Sequence, residues 1–234
     1  MMYNRFVLAA LLFTSILINT GCARTLQARY VETTKFHDDY SILHEGEDGQ
    51  PLLCFWKDGI DWKPYKKIIL EPVSIIKTPE SGLNETTHAE LSRLKELLDY
   101  RLRDALKKDY TLVRQPGPDV IRIEFAITEA ETSTVLLDTF STFYPSARAL
   151  SGLKWLLTGT EFYVGKASIE SKITDAETGE LLMASVDRRA GGKTLTGAGN
   201  SWDDVEQAFI FWARQLSYEL CQKQNREQCQ APES

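Results

Sequence analysis

An apolar run from Phe6 to Ile18 follows Arg5 and ends a few residues before Cys22, with Gly21 on one side and Ala23 on the other. This pattern limits which part of the chain can form a domain. A basic start, an apolar centre and a small-residue exit make a secretory leader, which is removed and takes no part in folding. The run is also shorter than the roughly 20 residues that a bilayer-spanning helix needs. No other segment reaches that length, so the sequence predicts no transmembrane helix. Removing residues 1–21 from the 234-residue chain leaves an ordinary single-domain length.

Thr20, Gly21 and Cys22 resemble the bacterial lipobox, from which Asn19 departs where leucine is preferred. The resemblance implies that Cys22 becomes the first mature residue and carries several acyl chains. More than one chain makes anchoring stable. Ala23 is not the aspartate that retains many such proteins in the inner membrane, so the resemblance favours the outer membrane, with the domain facing the periplasm. The alternative is an ordinary cleaved leader followed by an incidental cysteine.

The net charge of −6 argues against a nucleic-acid partner and gives no electrostatic reason to lie on anionic lipid. Membrane contact is therefore assigned to the lipid on Cys22. Cys54, Cys221 and Cys229 remain. On one continuous helix Cys221 and Cys229 would stand about 12 Å apart, too far to bridge. A helix ending near Asn225 would let the chain fold back, and an oxidising periplasm would let the pair close. Cys54 is read as a small buried hydrophobe. The cysteine spacing suits no zinc site.

The expected order is strand, helix, strand, strand, helix, hairpin, helix. This is an α/β (α+β) sandwich in which two long helices and one shorter helix cover one mixed sheet. Residues 22–50 read as a lipidated tether and irregular lead-in, 51–222 as a single domain, and 223–234 as a polar tail. Strands are expected at 52–56, at 68–76 with Pro72 marking a bulge or a side facing no neighbour, and at 110–114, 120–128, 162–175 and 181–187. Leu91, Leu94, Leu98, Leu102 and Ala105 have helical spacing, with Asn84 or Thr86 as cap. Pro145 opens the shorter helix over 146–157. Ser201 to Asp204 resembles a capping box for a last helix buried through Val205, Phe209, Trp212, Leu216 and Leu220.

Several linked motifs resemble the bacterial lipoprotein family designated domain of unknown function 3313. They are Phe36-His37-Asp38-Asp39-Tyr40-Ser41, then Tyr65 to Val73, Gly165 to Glu170, Asp175 to Gly179, Val186 to Arg189, and Trp202 with Phe209 and Trp212. The likeness covers roughly residues 36–220. The family carries no known activity, so it implies no catalytic residue. Its element order looks like the N-terminal domain of TolB, which implies a binding or assembly role by analogy of fold.

Gly191-Gly192-Lys193-Thr194 lacks the earlier glycine and the following helix of a phosphate loop, and reads as a plain loop. His37, Asp38, Asp39 and His44 read as a solvated lead-in rather than metal ligands, and no cofactor is expected. His88 reads as an exposed position on the long helix. Asp187, Arg188 and Arg189 are the first candidates for a ligand or partner contact, against a bland reading as ion pairs at a sheet edge. Trp155, in the apolar stretch 135–157, is a second candidate, against core filling.

The reading is a non-enzymatic envelope lipoprotein that binds or scaffolds an unknown envelope protein. One alternative is an envelope enzyme on a periplasmic polymer or small metabolite, gathering Asp175, Asp187 and Arg188. Another is a homo-oligomeric subunit of an export assembly, joined through 135–157. Replacing Cys22 by serine should shift the domain from the membrane fraction to the soluble periplasm. Unchanged fractionation with outer membranes would show that another feature holds it there.

Overall fold

The computed structural model describes residues 25–79, 81–132, 165–191 and 202–233. Cys22, the 135–157 segment with Trp155 and the expected 146–157 helix, and the loop after Gly191 lie outside them.

The architecture is α+β, with one mixed sheet and two helices among the described residues. The strands are β1 Thr25–Gln27, β2 His44–Glu45, β3 Leu53–Trp56, β4 Lys67–Leu70, β5 Ser74–Ile75, β6 Thr111–Leu112, β7 Val120–Glu131, β8 Lys166–Asp175 and β9 Leu181–Gly191. Helix α1 spans His88–Leu106 and α2 spans Asp203–Lys223. The sheet order is β2-β3-β9-β8-β7-β4-β6, with β1 also on β9 and β5 also on β7. The long strands β7, β8 and β9 pair antiparallel. β4, β5 and β6 add parallel pairings, as the crossover through α1 requires.

Alternation along β7 places Ile121, Ile123, Phe125 and Ile127 in the core beneath the helices. A bulge then inserts Thr128 between Ile127, which faces Ile169, and Glu129, which faces Ser168. One extra residue flips the alternation. Ala130 joins the core, and Glu129 and Glu131 turn to the far face of the sheet, where the former meets Arg188. The single strand expected over 68–76 is two short ones, because Pro72 falls in the gap and cannot donate to the ladder.

Helix α1 buries Leu94, Leu98, Leu102 and Leu106. Its cap is Thr87, not Asn84 or Thr86: the Thr87 hydroxyl accepts from the Glu90 N–H, and the Glu90 carboxylate accepts from the Thr87 N–H. Helix α2 differs from its expected start. Trp202 holds the cap position and makes no side-chain capping bond to the helix. Asp204 instead accepts the Gly165 N–H at 2.9 Å. A Cβ on Gly191 would lie 2.1 Å from the Asp204 carboxyl carbon, so only glycine lets β9 pass there.

The lead-in is not a tether. Thr25–Gln27 pairs with Arg189–Gly191, and Ala28 and Val31 are buried. The chain then crosses the far face of the sheet. There Thr34 N–H and Tyr40 OH donate to the buried Glu170 at 2.7 and 2.5 Å, and His37 Nε2 lies 3.2 Å from the Ser185 carbonyl. His37 therefore belongs to the packed interior, and burial lowers its pKa from the ordinary value. At the other end α2 stops at Lys223 and Asn225 adopts a left-handed φ of 52°. That reversal brings Cys221 and Cys229 to a Cα separation of 5.6 Å, and they form a disulfide.

The four α1 leucines predict a graded test. Leu98→Ala should cost about 3 kcal/mol, because it leaves a cavity in a dense core. Thr87→Ala, at an exposed cap, should cost about 1 kcal/mol. Urea unfolding reads both, and equal losses would contradict the packing described.

Candidate cleft beside the Asp187–Arg189 strand

Strand alternation separates the three candidate residues of β9. Asp187 and Arg189 face α2, and Arg188 faces the opposite side. The sequence treated them as one contact trio, and the sheet divides them.

Asp187 is 1% exposed. Its Oδ1 accepts from Gln27 Nε2 at 2.8 Å and Leu52 N–H at 3.1 Å, and its Oδ2 accepts from Trp212 Nε1 at 2.6 Å. Burial pushes this carboxyl above the usual carboxylate range, against the pull of those donors and of Arg189. Arg189 donates from Nε to Thr25 Oγ1 at 2.8 Å and from Nη2 to Thr25 O at 2.9 Å. Its guanidinium lies flat on Phe211, 3.4 Å from the ring centroid. Burial draws its pKa down to about 10, so it remains cationic at neutral pH.

Arg189 forms part of the wall of a cleft of about 750 Å³ between α2, β1 and the 47–50 turn. Such a volume is within the range of small-ligand sites. Trp56, Phe211 and Tyr218 supply aromatic surface, Leu26 stands at the rim, and Ala231 and Pro232 of the C-terminal segment close one side. Lys223 Nζ lies 4.6 Å over the Trp56 ring. Gln215 Nε2 reaches both Gly49 O at 2.8 Å and Glu219 Oε1 at 3.2 Å, and so pins the turn to the helix. Glu219 is half-buried in the cleft. Desolvation, with Asp187 nearby, outweighs Gln215 and Lys223 and pushes its pKa up to about 8. At neutral pH the cleft therefore offers a hydrogen-bond donor at this carboxyl and a fixed cation at Arg189, between aromatic walls.

On the far face Arg188 grips Glu129 with two bonds, Nε to Oε2 at 2.7 Å and Nη2 to Oε1 at 2.9 Å. Lys166 Nζ adds a contact at 3.1 Å and Ser168 Oγ donates at 2.7 Å. Burial alone would raise the Glu129 pKa, but these partners hold it below the usual range. Arg188 thus spends these donors on Glu129, at the wall of a smaller cleft of about 180 Å³. Asp175 sits in the β8–β9 turn, where it accepts from Tyr65 OH and the Thr178 N–H, both at 2.8 Å. Asp187 pairs with Ile169, six strand residues from Asp175, or about 20 Å. Asp175, Asp187 and Arg188 are therefore not gathered into one site. Among the described residues no group of three His, Cys, Asp or Glu side chains is placed to hold a metal ion. His44 lies 4.0 Å from the buried thiol of Cys54, whose pKa burial raises to about 11.

The cleft residues Glu219, Gln215, Gln27 and Trp56 were not among those singled out in the sequence. The available signal was a glutamate four residues after a buried glutamine and seven after Trp212, on the helical face that carries the apolar stripe.

The chain belongs to the family of proteins of unknown function DUF3313, whose model matches residues 32–216. No protein of curated function matches it. Among solved structures it is similar to a dodecameric PelC from Paraburkholderia phytofirmans, at 11% identity over 75% of this chain and 98% of that one, with a TM-score of 0.39. It is also similar to the hypothetical protein CT253 from Chlamydia trachomatis, at 10% identity over 67% and 98%, with a TM-score of 0.40. A third is protein XCC0632 from Xanthomonas campestris, at 10% identity over 68% and 86%, with a TM-score of 0.39. These likenesses are loose matches of outline and carry no argument about function.

Because folding raises the pKa of Glu219, the folded state holds its proton more tightly than the unfolded state. Its stabilising contribution is complete below the ordinary carboxyl value and is lost as pH rises through about 8. Glu219→Gln should therefore flatten the fall in melting temperature between the ordinary carboxyl value and about pH 8. Parallel melting profiles for the two proteins would contradict the placement of this carboxyl.

Proposed function

We propose that the protein is a lipid-anchored lipoprotein of the outer membrane. Its periplasmic domain binds an envelope ligand or partner through the Arg189–Glu219 cleft and catalyses no reaction. The observation that carries the binding part is the construction of the cleft wall. A buried guanidinium lies over the Phe211 ring, and the Asp187 carboxyl, which acts on it electrostatically, already accepts three other donors. Arg189 is thereby held in place as a fixed positive site beside aromatic surface, which suits recognition.

Three further points support the location. The leader reads as residues 1–21, directly before Cys22, and Thr25 is already paired in the sheet. The disulfide between Cys221 and Cys229 suits an oxidising compartment. Among the described residues no helix is long and apolar enough to cross a membrane. The likeness of element order to the TolB N-terminal domain points the same way by fold analogy alone. A binding role also fits the state of the polar groups: Asp175, Asp187, Glu129 and Arg188 each spend their hydrogen bonds inside the domain.

A photo-crosslinking residue at Tyr218, on the cleft, should give a defined adduct in intact cells. The same residue at the exposed Tyr100 on α1 should give none. The Tyr218 adduct should disappear when Trp56 is replaced by alanine. Adducts that form equally from both positions, or that persist without Trp56, would remove the cleft from the account.

A further inference from the structure

The register of the sheet brings one set of residues into a single row at one end. Thr25 pairs with Gly191, Ala190 with Lys166, and Lys166 with Glu131. Gly191 N–H also donates to Gly165 O at 2.8 Å. Helix α2 starts at this end, where Asp204 takes the Gly165 N–H. The opposite end carries the β8–β9 turn, the start of β4 and the end of α2, where Gln224 donates to the Trp62 and Tyr65 carbonyls.

Only residues 23 and 24 separate Cys22 from Thr25. Three residue steps extend at most about 10 Å. An acyl-bearing Cys22 therefore cannot stand far from the Thr25 row. The 21-residue α2 sets the other end about 30 Å away. Thr132, Gly165, Gly191 and Trp202 also lie at the Thr25 end. Leu26, on β1 beside the row, is 54% exposed.

We propose that the sheet end formed by Thr25, Glu131, Lys166 and Gly191 faces the lipid surface that holds Cys22, while the β8–β9 turn and the disulfide loop point away into the periplasm. This rests on the reading of Cys22 as the anchor. The domain stands on the bilayer by its sheet end, and β1 acts as a short stiff post in place of a long leash. The side of the cleft lined by Leu26 then lies near the membrane, and the side lined by Lys223 lies further out.

The test uses the full lipidated protein in phosphatidylethanolamine–phosphatidylglycerol vesicles that contain a headgroup spin label. A fluorescent amino acid is placed at Leu26 or at Glu177, and in a second pair at Thr132 or Lys63, while mass spectrometry of the N-terminal peptide reads acylation. Acylated protein quenched several-fold more at Leu26 and Thr132 than at Glu177 and Lys63 is the expected result. Acylated protein quenched equally at both ends, or more at Glu177 and Lys63, overturns the orientation and leaves the anchor intact. An N-terminal peptide without acyl chains overturns the anchor and the orientation together.

Discussion

The buried carboxylate of Asp187 joins four parts of the chain that nothing local would bring together. It sits on β9 and takes the indole N–H of Trp212 from α2, the side-chain amide of Gln27 from β1 and the main-chain N–H of Leu52 ahead of β3. A carboxyl in such a place is costly to desolvate and is tolerated only with its acceptor sites filled. The helix, the first strand and the approach to the third strand are therefore set by one group. Arg189 and Gln215 extend the same arrangement to Thr25 and Gly49 and so shape the cleft.

The far face of the sheet is organised by two other acids, the buried Glu170 and the half-buried Glu129. Glu170 receives Thr34 and Tyr40 from the crossing lead-in, and Glu129 receives Arg188, Lys166 and Ser168. Glu129 reaches that face only because Thr128 bulges and flips the alternation of β7. In an unbulged strand of the same sequence its carboxylate would point into the apolar core. Position along the strand thus decides whether each charge is a core defect or part of an ion-pair network.

Much of this was legible before the structure. The leucines of α1 repeat at helical spacing, and Ile121 to Ile127 alternate as a strand with one face buried, because hydrophobic burial imposes those periods directly. Alternation also contained the answer for β9, since adjacent Asp187 and Arg188 must face opposite ways. The lead-in was misread as a tether for a physical reason. Gln27, Thr34, His37 and Tyr40 are polar and carry no period, and their partners lie more than 100 residues away. Contacts set by single hydrogen bonds leave no pattern in composition. Glu219 was hidden in the same way, as an acid whose raised pKa depends on burial and on Asp187 of β9.

Asp187 is the joint between the sheet, α2 and the N-terminal strand, and hydrogen exchange in an Asp187→Leu protein tests this most directly. Leucine presents no acceptor, so the Gln27, Leu52 and Trp212 donors all lose theirs. The amides of 26–28 and of 52–54 should lose protection together, while those in the middle of β8 keep theirs. Unchanged protection at 26–28 and 52–54 would show that β1 and β3 are held independently of this carboxylate and would contradict the account.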